Sequence, residues 1–206
     1  MQPSDTSKIT AYHQTRIAEY GLRSSMALGW NTVGSQRVRF DVLAGIGDMS
    51  NHSVLDAGCG RGDLRVHLGL RYPGITYTGI DQMEPFIGLA QKQYGHIPRT
   101  TFLTGNIEAD RLAPCDYVLT SGALNYKSAN PRFIYLIIKK LFDTCKMGLG
   151  FNLLSKIGYP PGELSAYDPQ MMLDYCRTLS RKVKLMDGYQ EGDYTIYMYK
   201  KEKQEK

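Results

Sequence analysis

The sequence predicts an α/β fold: a seven-stranded, mainly parallel sheet with helices on both faces and an antiparallel last strand, preceded by an N-terminal helical appendage. Three observations carry this expectation. From Ser53 onward, short apolar runs alternate with helix-length segments, the pattern of strand–helix–strand units whose crossovers enforce parallel pairing. The last two runs, 182–186 and 194–199, are joined only by residues 187–193, too few for a helical crossover, so they form an antiparallel hairpin. The first fifty residues show helical periodicity and no strand alternation.

Taken in order, the appendage predicts helices over 9–20 and 35–46, with Gly21, Gly29 and Gly34 as breaks. Strands follow at 53–56, 75–81, 101–103, 116–120, 148–154, 182–186 and 194–199. Helices fall at 64–70, 85–94, 131–146 and 169–179. Asp168 and Pro169 make a strong helix start, because Asp accepts from the free amides of the first turn and Pro suits its first position.

The length of 206 residues fits one well-buried domain. It divides into the appendage at 1–50, a core at 51–200 and a flexible tail at 201–206. The net charge of +5 is modest, and much of it lies in the Lys-rich stretch from Lys200. Arg16, Arg23, Arg37, Arg39, Arg61, Arg65 and Arg71 are interleaved with acidic and apolar residues, which disfavours a nucleic-acid face. Cys59, Cys115, Cys145 and Cys176 lack zinc-ligand spacing, so free thiols and no metal are expected. The first residues lack a signal-peptide pattern and no run approaches the ~18 apolar residues of a membrane span. A cytoplasmic location is expected.

The chemistry is concentrated in two places. Asp56-Ala57-Gly58-Cys59-Gly60-Arg61-Gly62 follows the first strand of the core, where a parallel sheet binds its ligands. Its glycines permit a tight turn and a close approach to the main chain. Asp81 ends the second strand, where a carboxylate accepts hydrogen bonds from both hydroxyls of a ribose. A nicotinamide enzyme has the same architecture, but its Gly-x-Gly-x-x-Gly fingerprint seats a pyrophosphate on a helix N-terminus. Here the third of those positions is Asp63, which repels phosphate and favours a ligand without one.

Val54 to Gly62 and Tyr77 to Asp81 resemble the first and second motifs of class I S-adenosylmethionine-dependent methyltransferases, the Rossmann-like seven-stranded family. The resemblance runs from about Ser53 to Lys200. It implies S-adenosyl-L-methionine as cofactor and methyl transfer to an O, N, S or C nucleophile. It also implies that Gly58 and Gly60 contact the methionine part, that Asp81 holds the ribose, and that Gln82 or Met83 lies beside the adenine. Thr104-Gly105-Asn106-Ile107 is similar to the loop after the third strand of that family. The resemblance implies that the Asn106 amide oxygen meets the adenine amino group, where Asp is common, and that Ile107 packs on the ring.

Asp56 completes the cofactor set, with Ser121 in the segment after the fourth strand. That segment reaches the place where methyl group and acceptor would meet, and its Asn125 and Tyr126 are the candidates to orient an acceptor. The Asp/Asn/Ser-Pro-Pro-aromatic and Pro-Cys signatures of base methylation are absent there. His13 and His67 read as surface residues, and alignment alone can drive methyl transfer. Tyr12, Arg16, Tyr20, Trp30, Gln36, Arg37 and Arg39 read as the lining of an N-terminal lid, with Arg16, Gln36 or Arg39 toward the cofactor's carboxylate; simple packing on the sheet is the alternative. The expected acceptor is a small molecule. An RNA methyltransferase and a non-catalytic cofactor-binding subunit are the other readings.

Overall fold

The computed structural model describes residues 3–30, 33–157 and 162–200; the predicted tail at 201–206 lies outside them. The chain forms a seven-stranded sheet in the order β3-β2-β1-β4-β5-β7-β6. The strands are β1 (Ser53–Ala57), β2 (Thr76–Asp81), β3 (Thr100–Thr104), β4 (Cys115–Thr120), β5 (Cys145–Leu154), β6 (Lys182–Met186) and β7 (Asp193–Tyr199). β1 to β5 pair in parallel, and β7 alone runs against its neighbours, inserted between β5 and β6. The short connection before β7 dictates that reversal.

Helices α1 (Pro3–Tyr20), α2 (Val33–Ala44), α3 (Asp63–Gly69), α4 (Glu84–Tyr94), α5 (Phe133–Thr144) and α6 (Pro169–Leu179) surround the sheet. On one face, Ile134, Ile137, Ile138 and Leu141 of α5 pack with Val118, Leu149, Phe151 and Ile196 of the sheet. On the other, Phe40, Leu43 and Ala44 of α2 meet Leu64 and Leu68 of α3 over Val54, Tyr117, Leu119 and Tyr197. α2, within the N-terminal fifty residues, is therefore part of the core.

The C-terminal carbonyls of a helix lack partners within it. In and just after α2 they are met by tyrosine hydroxyls: Tyr72 donates to Ala44 O at 2.5 Å, Tyr199 to Ile46 O at 2.8 Å, and Tyr197 to Val42 O. α1 is tied to the core through Asp5, which is buried and accepts from Ser128 Oγ at 2.9 Å and Ala129 N–H at 3.1 Å.

Several boundaries differ from the sequence expectation. α1 begins at Pro3, earlier than 9, because Pro suits a first helical position and Asp5 adds an acid to the first turn. Gly34 does not break the chain: it is the second residue of α2, where its flexibility costs least. α5 ends at Thr144 and β5 starts at once with buried Cys145, so the helix ends two residues earlier than expected and the strand begins three earlier. Asp168 caps α6 as expected, its carboxylate accepting from Met171 N–H at 2.8 Å.

Candidate active site

Beyond β1 the chain folds back onto the end of β2. The N–H groups of Gly58 and Cys59 donate to the Ile80 carbonyl at 2.8 and 3.0 Å. Gly60 N–H donates to Asp81 Oδ2 at 2.9 Å, and Met83 N–H to Oδ1 at 2.8 Å. Asp81 thus fixes the loop that follows the neighbouring strand. Gly58 and Gly60 have φ of 78° and 52°, a region that L side chains avoid. A Cβ at Gly58 would lie 2.3 Å from Ala123 Cβ, and one at Gly60 2.7 Å from Leu28 Cδ2. Both positions require glycine.

A carboxylate offers about four acceptor positions. Two of those on Asp81 are taken by N–H groups, which leaves room for a pair of hydroxyls. Burial raises the Asp81 pKa, and its two amide bonds hold it down. Asp56 is buried and accepts from Tyr77 OH at 2.5 Å. Burial lifts its pKa to about 7, against the Tyr77 hydrogen bond and helped by the charges of Asp81 and Asp63. Two carboxyls strained in this way suit a cationic ligand.

A cavity of about 180 Å³ opens from this loop. Asp56, Gly58, Gly60 and Asp81 line it beyond β1 and β2; Ser121, Asn125 and Tyr126 line it after β4, with Asn152 and Leu164 beside them; Leu154 and Asp193 line it where β5 meets β7. Tyr12, His13 and Trp30 cover it, and Gln36 and Arg39 of α2 form a wall. Ser121 Oγ donates to Asn152 Oδ1 at 2.8 Å. Asn125 is buried and donates from Nδ2 to Ser165 O at 3.0 Å.

His13 is the main correction to the sequence reading, since it is buried and lines the cavity. Its Nδ1 lies 3.0 Å from the Ala27 carbonyl and its Nε2 2.8 Å from Tyr126 OH. A carbonyl only accepts, so Nδ1 carries the proton and Nε2 accepts from the phenol. Burial lowers the His13 pKa and keeps the ring neutral. His67 is not a free surface residue either: it pairs with Asp41 at 3.2 Å beside Phe40, away from the cavity.

Among the predicted cofactor residues, Gln82, Met83, Asn106 and Ile107 do not line this cavity. Met83 is buried against Ala27 and Phe86, and Ile107 packs on the main core. The Asn106 Oδ1 accepts from Glu108 N–H at 2.9 Å and Ala109 N–H at 3.1 Å, while its Nδ2 faces Gln82 Oε1 at 3.4 Å. The oxygen expected to meet an adenine is engaged in its own turn. Asp63 opens α3 and bonds Arg61 at 2.8 Å and Gln36 at 3.3 Å, outside the cavity. Of the lid candidates, Tyr12, Trp30, Gln36 and Arg39 reach the cavity; Arg16, Tyr20 and Arg37 do not. Arg16 instead donates to Met26 O at 2.5 Å. Asn152, Gln190 and Asp193 went unmarked in the sequence, which offers no local motif around them.

Residues 54–148 match a family model described as a methyltransferase domain. The whole core shares its fold with solved methyltransferases. Magnesium protoporphyrin IX methyltransferase from Synechocystis PCC 6803, solved with bound SAH, is 17% identical with a TM-score of 0.68, covering 96% of this chain and 100% of that one. Human N-acetylserotonin methyltransferase in complex with SAM is 16% identical with a TM-score of 0.70, covering 94% of this chain and 59% of that one. A SAM-dependent methyltransferase from Aquifex aeolicus is 16% identical with a TM-score of 0.61, covering 78% and 88%. No curated protein sequence matches the chain significantly.

Proposed function

We propose that this methyltransferase domain uses S-adenosylmethionine to methylate a small-molecule acceptor. The observation that supports this most is the covered cavity running from the glycine loop to Asp193 beneath α1. It suits a small ligand better than a polynucleotide, which a wide basic surface would serve. The residues present fit the cofactor: a cradle that only glycine can form, and Asp56 and Asp81 with raised pKa values. Neighbours of the same fold act, by their names, on a porphyrin and on N-acetylserotonin.

The bound cofactor supplies a methyl group on a sulfonium, ready for in-line attack. Asp81 would accept the ribose hydroxyls, Gly58 and Gly60 would flank the methionine part, and Gln36 would meet its carboxylate. Ser121, Asn125 and Tyr126 hold the acceptor in line, which supplies most of the acceleration. Where the acceptor is an O–H or N–H group, its proton passes to Tyr126 Oη as the phenol proton moves to His13 Nε2. The Ala27 carbonyl steadies the imidazolium that results.

The cavity of about 180 Å³ is below the ~300 Å³ at which small-molecule sites begin. α1 and the Trp30 segment therefore act as a lid that yields on entry. Calorimetric titration with S-adenosylmethionine, S-adenosylhomocysteine (SAH) and NAD tests the cofactor reading; heat with NAD alone overturns it. SAH should also slow proteolysis within residues 8–45, and unchanged cutting there overturns the lid.

A further inference from the structure

Asp193 opens β7 opposite Leu154, the last residue of β5. Asp193 is among the residues that line the cavity, and 1% of its side chain is exposed. Neither oxygen accepts a hydrogen bond among the described residues. Arg39 Nη2 stands 2.5 Å from Oδ2, an ion pair outside hydrogen-bond alignment. The guanidinium is engaged elsewhere too: Nη1 donates to Ser35 O at 3.3 Å, and its plane lies 4.6 Å over Trp30. Arg39 thus serves Oδ2 as an ion pair, while Oδ1 is buried with no donor among the described residues, and a buried acceptor without a donor calls for an explanation.

The position of Asp193 limits what the donor is. Strands lie ~4.8 Å apart, so three steps from β1 through β4 and β5 put Asp193 roughly 14 Å from the glycine loop. A cofactor on the glycine loop would fill the β2–β1 end, with its methyl toward Ser121. The space toward Asp193 would then take the acceptor, and Leu153 and Leu154 of β5, which pair with Tyr194 and Asp193, add apolar lining there.

Resting on the proposed function, we infer that Asp193 recognises the acceptor, taking a hydrogen bond from an N–H or O–H group at the end of the molecule opposite the methylated atom. The acceptor class follows: a molecule with an apolar middle, a nucleophile at one end and a hydrogen-bond donor at the other. Arg39 already balances the charge of Asp193, so an uncharged donor is sufficient. An anionic far end is rejected. The bland alternative is that Asp193 merely anchors Arg39 to β7.

The test begins with SAH titration, which must give binding; its failure strikes the proposed function itself. Transfer of labelled methyl from S-adenosylmethionine is then measured on paired bisphenols, aminophenols and hydroxyindoles. Each is matched with counterparts carrying hydrogen, methoxy or carboxylate at one end. In the wild type, the donor-bearing member should be preferred by about 10- to 100-fold in kcat/KM, the equivalent of one lost buried hydrogen bond. Asp193→Asn and Asp193→Ala should shrink that preference below about threefold through KM, leaving kcat and SAH affinity within about twofold. A preference unchanged in the variants overturns the inference. So does a loss of SAH affinity that tracks KM, or a best acceptor without a second donor, or a library in which no donor-bearing compound is methylated. Should the variants fail to fold, the wild-type preference alone decides.

Discussion

The two ends of the cavity are built on different terms. At the glycine-loop end the two carboxyls and the loop amides are met from within: Asp81 by the amides of Gly60 and Met83, Asp56 by Tyr77, and the amides of Gly58 and Cys59 by Ile80. At the far end Asp193 is buried, with Arg39 at 2.5 Å from Oδ2 and no donor at Oδ1 among the described residues. The first end is preorganised and its geometry exists before any ligand arrives. The second is completed by what enters. One cofactor and a variable acceptor call for this division, since the fixed partner repays rigidity and the variable one is chosen at the open valence.

Four variants probe this contrast, beginning with the most damaging. Gly58→Ala forces a methyl group against Ala123 at a φ of 78°. It should cost about 2–4 kcal/mol of stability and abolish measurable SAH binding; thermal melts and calorimetry read both. Asp81→Ala removes the hydroxyl acceptor and the anchor of Gly60 N–H, and should weaken SAH about 30- to 100-fold. An affinity retained within threefold breaks the assignment.

His13→Gln acts on the middle of the cavity. Because burial lowers the His13 pKa from 6.5, the wild-type ring accepts a proton at neutral pH and is lost as a base only when pH falls below 6.5 toward that lowered value. The kcat/KM profile should therefore decline on the acid side in the wild type. The variant should be slower by about 10²-fold and lose that limb, with SAH affinity unchanged. Asn106→Ala should do least at the cofactor, under about threefold in Kd, because its oxygen already serves Glu108 and Ala109. Its cost should appear as about 1 kcal/mol of stability.

The same contrast explains what the sequence discloses. The glycine-loop end is made within about one strand–helix–strand unit, from Asp56 to Met83, so its spacing and residue types are a local code. The parallel core and the reversed hairpin are legible for the same reason, since connection length decides them. His13, Tyr126, Arg39, Asn152 and Asp193 come from elements more than a hundred residues apart in places, and no spacing joins them. His13 lies on a helix of weak amphipathic contrast, so its inward face carries no mark. Asn106 shows the converse: at a position the motif marks, the side-chain oxygen is engaged with its own backbone.

The tyrosines that meet the carbonyls of α2 have a consequence for how the molecule comes into being. Tyr197 and Tyr199 belong to β7, the last strand in chain order, and β7 enters the sheet between two strands already made. As the chain leaves the ribosome, β5 keeps an unpaired edge and the Ile46 carbonyl lacks its tyrosine hydroxyl until residue 199 has emerged. Segments that fold early elsewhere must wait here for β7, and Arg39 and Asp193 meet only when it enters the sheet.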